Sequence, residues 1–160
     1  MKSASFTGHR VIQPNHYGRI NELVMRSIQY LYNEGCRIFY TGGALGFDTI
    51  CAQQVILFRL THPDVELRVI VPCENQNKNW SYKQTQMYEY ILSGANSVQV
   101  ISEEYTSTCM YERNRRLAEV CDYLVAYVGK ERSGSSQTMR LAKESGKTVF
   151  NIFPTLEKEN

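Results

Sequence analysis

The sequence predicts an α/β domain: a mostly parallel sheet of about six strands in three layers, with helices on both faces. Three observations lead there. Short apolar segments alternate with segments of helical periodicity along the whole chain, which is the pattern of strands joined by crossover helices. The run Leu67–Val71 is almost continuously apolar, as a strand covered on both faces requires. Three glycines, Gly42, Gly43 and Gly46, separate another apolar run from a helix start.

The elements follow in order. Ser3–Thr7 is a short strand of weak composition, and the polar knot Thr7-Gly8-His9-Arg10 ends it. From Tyr17 to Asn33, the residues Ile20, Leu23, Val24, Ile28 and Leu31 recur on one helical face, and Glu34-Gly35 stops the helix. Arg37–Tyr40 is a strand, the glycine turn comes next, and Asp48 opens a helix that runs to about Arg59. His62-Pro63-Asp64 breaks the chain before the strand Leu67–Val71, which Pro72 ends. The loop from Glu74 closes on Trp80, the single tryptophan. A helix over residues 81–93 is stopped by Gly94, and Ser97–Ile101 is a strand. Met110–Val120 is helical, Tyr123–Val128 is a strand, and Gly129–Ser136 is a glycine-serine loop. Gln137–Ser145 is a helix, Thr148–Ile152 the last strand, and residues 154–160 a charged tail. One domain therefore spans residues 1–153.

Composition narrows the function classes. With 160 residues, one core is large enough to fold alone. The 18 basic and 16 acidic residues are too balanced for bulk binding of nucleic acid or a membrane surface. No apolar run approaches the roughly 20 residues of a membrane span, and the first residues lack the apolar core of a signal peptide. The five cysteines include no Cys-x-x-Cys pair and fall in or beside apolar stretches, so they read as buried thiols of a cytoplasmic protein. His9, His16 and His62 have no metal-ligand spacing with them, so no metal is expected.

In an open parallel sheet, ligands bind beyond the carboxyl ends of the strands. The segments there are polar and glycine-rich, and those at the opposite edge are plainer. Arg10, beside Gly8 and His9, has the chemistry to pair with a phosphate or to stand solvated. Thr41, Gly42, Gly43, Ala44 and Gly46 form a turn whose amides can close on an anion, or merely join strand to helix. Asp48 caps a helix or receives a ligand hydroxyl. Glu74 accepts from a ribose hydroxyl or is a solvated carboxylate. Trp80 stacks on a base or fills the core. Arg113 and Asn114 open a helix beside the cleft. Ser133, Gly134 and Ser135, with Thr138, offer amides and hydroxyls at another helix start, for an anion or for capping alone.

These residues resemble a known group. Thr41-Gly42-Gly43-Ala44-Leu45-Gly46-Phe47-Asp48 is similar to the glycine motif of the SLOG superfamily, which includes the DprA/Smf and LOG proteins. Phe6-Thr7-Gly8-His9-Arg10, the Pro72…Gln76…Trp80 loop, Tyr111-Glu112-Arg113-Asn114-Arg115, and Asp122–Ala126 followed by Ser133-Gly134 and Thr138 resemble the YpsA-like branch. The resemblance implies a Rossmann-like fold. It also implies a nucleotide or nucleotide-derived ligand of the ADP-ribose or NAD type, and a homo-oligomer. It makes Gln76 a ligand-site residue. Three functions follow: a nucleotide sensor without turnover, a nucleotide N-glycosidic hydrolase of the LOG kind, or an adaptor in bacterial cell-division or stress control that works through a protein partner. The hydrolase needs a carboxylate near the ribose, with Glu74 and Glu112 as candidates. The LOG signature Pro-Gly-Gly-x-Gly-Thr-x-x-Glu is absent, since Thr41 stands at its proline. The last loop has Gly134-Ser135-Ser136 where Gly-Gly-Thr is usual. The sensor reading ranks first, with no certain cofactor and nucleic acid disfavoured as a partner.

Overall fold

The computed structural model describes residues 2–130 and 132–158. Strands β1 (Lys2–Gly8), β2 (Cys36–Thr41), β3 (Glu66–Cys73), β4 (Ser97–Ser102), β5 (Tyr123–Tyr127) and β6 (Thr148–Asn151) form one sheet in the order β4-β3-β2-β1-β5-β6. Every neighbouring pair is parallel. The connecting helices are α1 (Tyr17–Asn33), α2 (Phe47–Arg59), α3 (Tyr82–Gly94), α4 (Cys109–Val120) and α5 (Gly134–Glu144). Right-handed crossovers put α1, α2 and α3 on one face, because the chain steps one way from β1 to β4. It then returns across the sheet, so α4 and α5 cover the other face. This is the Rossmann-like three-layer fold expected.

The main core lies on the first face. Ile20, Val24, Ile28 and Leu31 of α1 pack there with Cys51 and Val55 of α2 and with Ala4 and Phe6 of β1. A smaller cluster of Ala118, Cys121, Leu124 and Ala142 lies under α4 and α5. The weak composition of β1 has a physical reason. Its alternate residues Ser3 and Ser5 face α4, and their hydroxyls donate to the carbonyls of Val120 (2.6 Å) and Leu117 (2.7 Å). Small hydroxyl side chains let that helix sit close and satisfy the unpaired carbonyls near its end. All five cysteines are buried and free, and burial pushes the Cys36 thiol up to about 11.

Three boundaries differ from expectation. Pro72 lies inside β3 rather than ending it. The β2 ladder stops at the pair Thr41–Val69, so β3 beyond that point is flanked by β4 alone and tolerates a residue without an N–H. Helix α5 begins at Gly134, three residues before the expected Gln137, because Ser133 and Ser136 cap it reciprocally. The charged tail is instead a short helix, α6 (Phe153–Lys158), whose Leu156 is buried in the main core. Residues 159 and 160 lie outside the described residues.

Two glycines are demanded by close approach. Gly46 has φ of 75°, and a Cβ there would strike the backbone carbonyl of Arg10. At Gly8 a Cβ would lie 2.6 Å from Cβ of Phe47. The segment after β1 thus lies directly on the turn after β2, and Phe47 N–H donates to His9 O at 3.1 Å. Gly46→Ala should cost about 2–4 kcal/mol in urea unfolding, from a clash added to a left-handed backbone. Gly18→Ala, in open space on α1, should instead stabilise by about 0.5 kcal/mol.

Candidate functional site

The chain leaves β1 towards β2 on one side and β5 towards β6 on the other. Strand order therefore reverses between β1 and β5, and their carboxyl ends part to form a crevice. A cavity of about 760 Å³ opens there, within the range of small-ligand sites. Its walls come from the segment after β1, the turn after β2, the start of α4 and the loop into α5.

Ten of the expected residues share this cavity: Gly8, His9, Arg10, Ala44, Asp48, Arg113, Asn114, Ser133, Gly134 and Ser135. Hydrogen bonds fix several of them. Gly129 N–H donates to His9 Nε2 at 2.8 Å, so the neutral ring carries its proton on Nδ1, which faces Ser135 Oγ at 3.4 Å. Asn114 Nδ2 donates to Gly134 O at 3.2 Å, tying the start of α4 to the start of α5. Thr138 is buried and donates to the same carbonyl at 3.0 Å, so it supports the helix start from behind without lining the cavity.

The glycine turn after β2 is not the open amide cradle that its sequence suggests. Its donors are used inside the protein. Gly43 N–H faces Thr41 Oγ1 at 3.5 Å, and Ala44 N–H donates to Asp48 Oδ2 at 3.2 Å. Arg113 closes the arrangement, with Nη1 donating to Gly42 O at 2.6 Å and Nε to Asn114 Oδ1 at 2.9 Å. A Cβ on Gly42 would press on both Arg113 and Asp48, so that glycine is needed for this packing. Among the expected residues, Thr41, Gly42, Gly43 and Gly46 shape the turn from outside the cavity.

The loop after β3 also lies away from the crevice, because β3 stands beyond β2 in the sheet. Gln76 Nε2 donates to Gly43 O and to Tyr88 Oη, both at 3.1 Å, and so braces the glycine turn. Trp80 packs edge-on against Tyr88 at 5.1 Å and belongs to the rim of the core. Glu74 is exposed on that loop, and Glu112 is exposed on α4. Neither lines the cavity. The helical spacing explains Glu112: its neighbours Arg113 and Asn114 turn inward, which points it to solvent. Sequence reasoning missed Gln13, Lys130, Tyr111 and Gln137, which do line the cavity. Lys130 lies in a loop already singled out, and Tyr111 in a matched motif. Gln13 carries no local signal. A turn at Pro14–His16 places it, and buried His16 bonds the Tyr127 hydroxyl that also accepts Gln13 N–H.

Asp48 and Arg113 are the buried ionisable groups of the wall, close enough to influence each other electrostatically. Burial raises the Asp48 pKa above its ordinary value, against the opposing pull of Arg113 and of the Ala44 amide. Burial likewise lowers that of Arg113, with Asp48 opposing. Asp48 Oδ1 is buried with no hydrogen-bond partner. Between pH 3.8 and the raised value, the folded protein binds more protons at Asp48 than the unfolded chain does. That contribution to stability is complete below the unfolded pKa and disappears as pH rises through the folded one. Asp48→Asn keeps an acceptor for Ala44 N–H and removes the titration. As pH rises from 3.8 through the raised folded value, the Tm of the native protein should therefore fall relative to that of the variant. A constant difference would contradict the assignment.

Comparison with known proteins now places the chain. The sequence profile of YpsA, described as the YspA SLOG family, matches residues 12–152. A UPF0398 protein of Bacillus cereus strain G9842 is 27% identical, over 98% of this chain and 94% of its own length. One from Bacillus thuringiensis strain Al Hakam matches at the same identity and coverage. Among solved structures, DNA processing protein A (DprA) of Streptococcus pneumoniae superposes with a TM-score of 0.66 at 23% identity, over 94% of this chain. This chain spans about half of that protein, 50% of its length. DprA of Helicobacter pylori, whose structure describes a single-stranded DNA binding mode, gives 0.66 at 20% identity, covering 94% of this chain and 64% of that one. TM1055 gives 0.60 at 15%, covering 93% and 72%. These structural likenesses speak for the fold, and the profile match speaks for the family. With its six parallel strands and its glycine turn locked by Asp48, the chain belongs to the YspA SLOG family.

Proposed function

We propose that the protein binds a phosphate-bearing, nucleotide-derived ligand of the ADP-ribose type in the β1–β5 crevice, as a sensor or regulatory module without turnover. One observation carries this reading. The start of α5 opens into the cavity with Arg10 and Lys130 in the same wall. First-turn amides have no acceptor within their own helix, and the helix dipole adds partial positive charge. Amides and two cations around one opening suit a phosphate.

Asp48 is the carboxylate among the described lining residues, and it is already engaged with the glycine turn through the Ala44 amide. That engagement supports binding over glycosidic hydrolysis. The Helicobacter pylori relative in fold binds single-stranded DNA, so nucleotide recognition occurs on this scaffold. Here the balanced charge and a crevice of about 760 Å³ favour a small ligand over a strand.

Titration calorimetry with ADP-ribose and with AMP tests the reading. At least one should bind, and Arg10→Ala should weaken it by about 10–100-fold through loss of a charge-assisted contact. Glu74→Gln, outside the cavity, should leave the affinity unchanged. The bound nucleotide should be recovered intact by mass spectrometry after overnight incubation. Binding of neither probe would sink the proposal, and release of free base would replace it with the hydrolase.

A further inference from the structure

The cavity wall holds more than cations and amides. Gln13 borders it and is exposed, and its side-chain carboxamide has no hydrogen-bond partner among the described residues. The half-buried ring of Phe153 borders it as well. One buried side chain fixes both. The Tyr127 hydroxyl accepts Gln13 N–H at 3.2 Å, and the Tyr127 ring centre lies 4.9 Å from that of Phe153. His16 bonds the same hydroxyl at 2.6 Å and packs edge-on against Phe153 at 5.0 Å. Gly129 leaves room for the Phe153 ring, which a Cβ there would meet at 2.9 Å. An unpaired carboxamide on a pinned backbone and a pinned aromatic ring are thus brought to one end of the cavity.

The start of α5 lies on the other side of His9. Ser135 Oγ is 3.4 Å from His9 Nδ1, whereas the Phe153 ring centre is 6.2 Å from that of the imidazole, beside the Gly129 amide that donates to Nε2. One imidazole separates the helix start from the aromatic ring, and a ribose, also a five-membered ring, has the size to span it. Beyond that span the chemistry suits a flat heterocycle. An aromatic ring offers it a stacking face. A carboxamide presents a donor and an acceptor side by side, which match the N6 amino group and N7 of adenine. A 6-oxopurine shows two acceptors there and leaves the carboxamide oxygen without a donor.

We infer that the crevice reads the base of its ligand and selects a 6-aminopurine, with Gln13 paired to N6 and N7 and Phe153 against the ring. This selectivity rests on the crevice being the nucleotide site proposed above, with the phosphate at the start of α5. Titration calorimetry with AMP, inosine monophosphate and ribose 5-phosphate tests it. AMP should bind the native protein at least about fivefold tighter than inosine monophosphate. Gln13→Ala should bring that ratio to about one by weakening AMP. Phe153→Leu should weaken both nucleotides alike, by at least about fivefold, through loss of the stacking face. Gln13 is exposed, so its substitution carries the test even if Phe153→Leu disturbs the packing. Equal affinity for the two nucleotides, or an AMP preference untouched by Gln13→Ala, would overturn the base selection and leave the phosphate site standing. AMP binding no tighter than ribose 5-phosphate would overturn it in the same way. If none of the three binds, the nucleotide site falls together with its selectivity.

Discussion

The structure depends on one reach across the sheet. Arg113 belongs to α4, on the face opposite α2, yet its guanidinium passes over the carboxyl end of the sheet to the carbonyl of Gly42. There it meets Asp48, which holds the amide of Ala44. One buried cation therefore joins the two helical layers, the glycine turn and the wall of the cavity. Such an arrangement carries an energetic cost, because both charges give up solvent. Its benefit is positional. A guanidinium with fixed donors cannot slide as an apolar contact can, so the turn, the start of α4 and Asn114 keep one geometry.

The function of the glycines changes in this light. A strand, a glycine turn and a helix start invite the reading of a phosphate cradle, because each part permits one. What decides the matter is whether the amides have other acceptors. At the turn after β2 they do, in Thr41 and Asp48. The glycines there serve close packing, with Arg113 against Gly42 and the Arg10 backbone against Gly46. At the start of α5, Ser133 and Ser136 cap each other, and the first-turn peptide planes of Gly134 and Ser135 lie at the opening of the cavity. The less glycine-rich of the two turns is thus the one whose first-turn residues border the cavity.

Much of the fold was legible because its signals are local and repeated. The apolar stripe of α1 and the continuous run of β3 need no tertiary context to be recognised. The edge of the sheet on which a cavity forms follows from the carboxyl-end rule. The site was legible where polar residues sit directly after β1 or β5, as with His9, Arg10 and Ser133–Ser135. It was illegible where distance across the sheet decides. Glu74, Gln76 and Trp80 follow a strand as Arg10 does, but β3 is separated from the crevice by β2. Gln13 failed for the reverse reason: a buried His16–Tyr127 contact places it, and the two partners are 111 residues apart. The helix α6 was hidden because it is only six residues long, with Leu156 as its one fully buried side chain.

The cavity and the edge strand β4 are far apart in the sheet, yet the chain links them closely. β4 leads through the loop at 103–108 directly into α4, whose second turn delivers Arg113 and Asn114 to the cavity wall. Cys109 anchors the end of that loop, its N–H donating to Thr106 Oγ1 at 3.0 Å and its thiol to Thr106 O at 3.3 Å. A ligand between Arg10 and α5 would act at the fixed end of this segment. Since Arg113 is held at Gly42 and beside Asp48, it resists displacement, and a shift at either end of the segment must be taken up by the loop or by the tilt of α4. The short path from edge strand to buried arginine therefore ties the position of the loop at 103–108 to the geometry of the cavity wall.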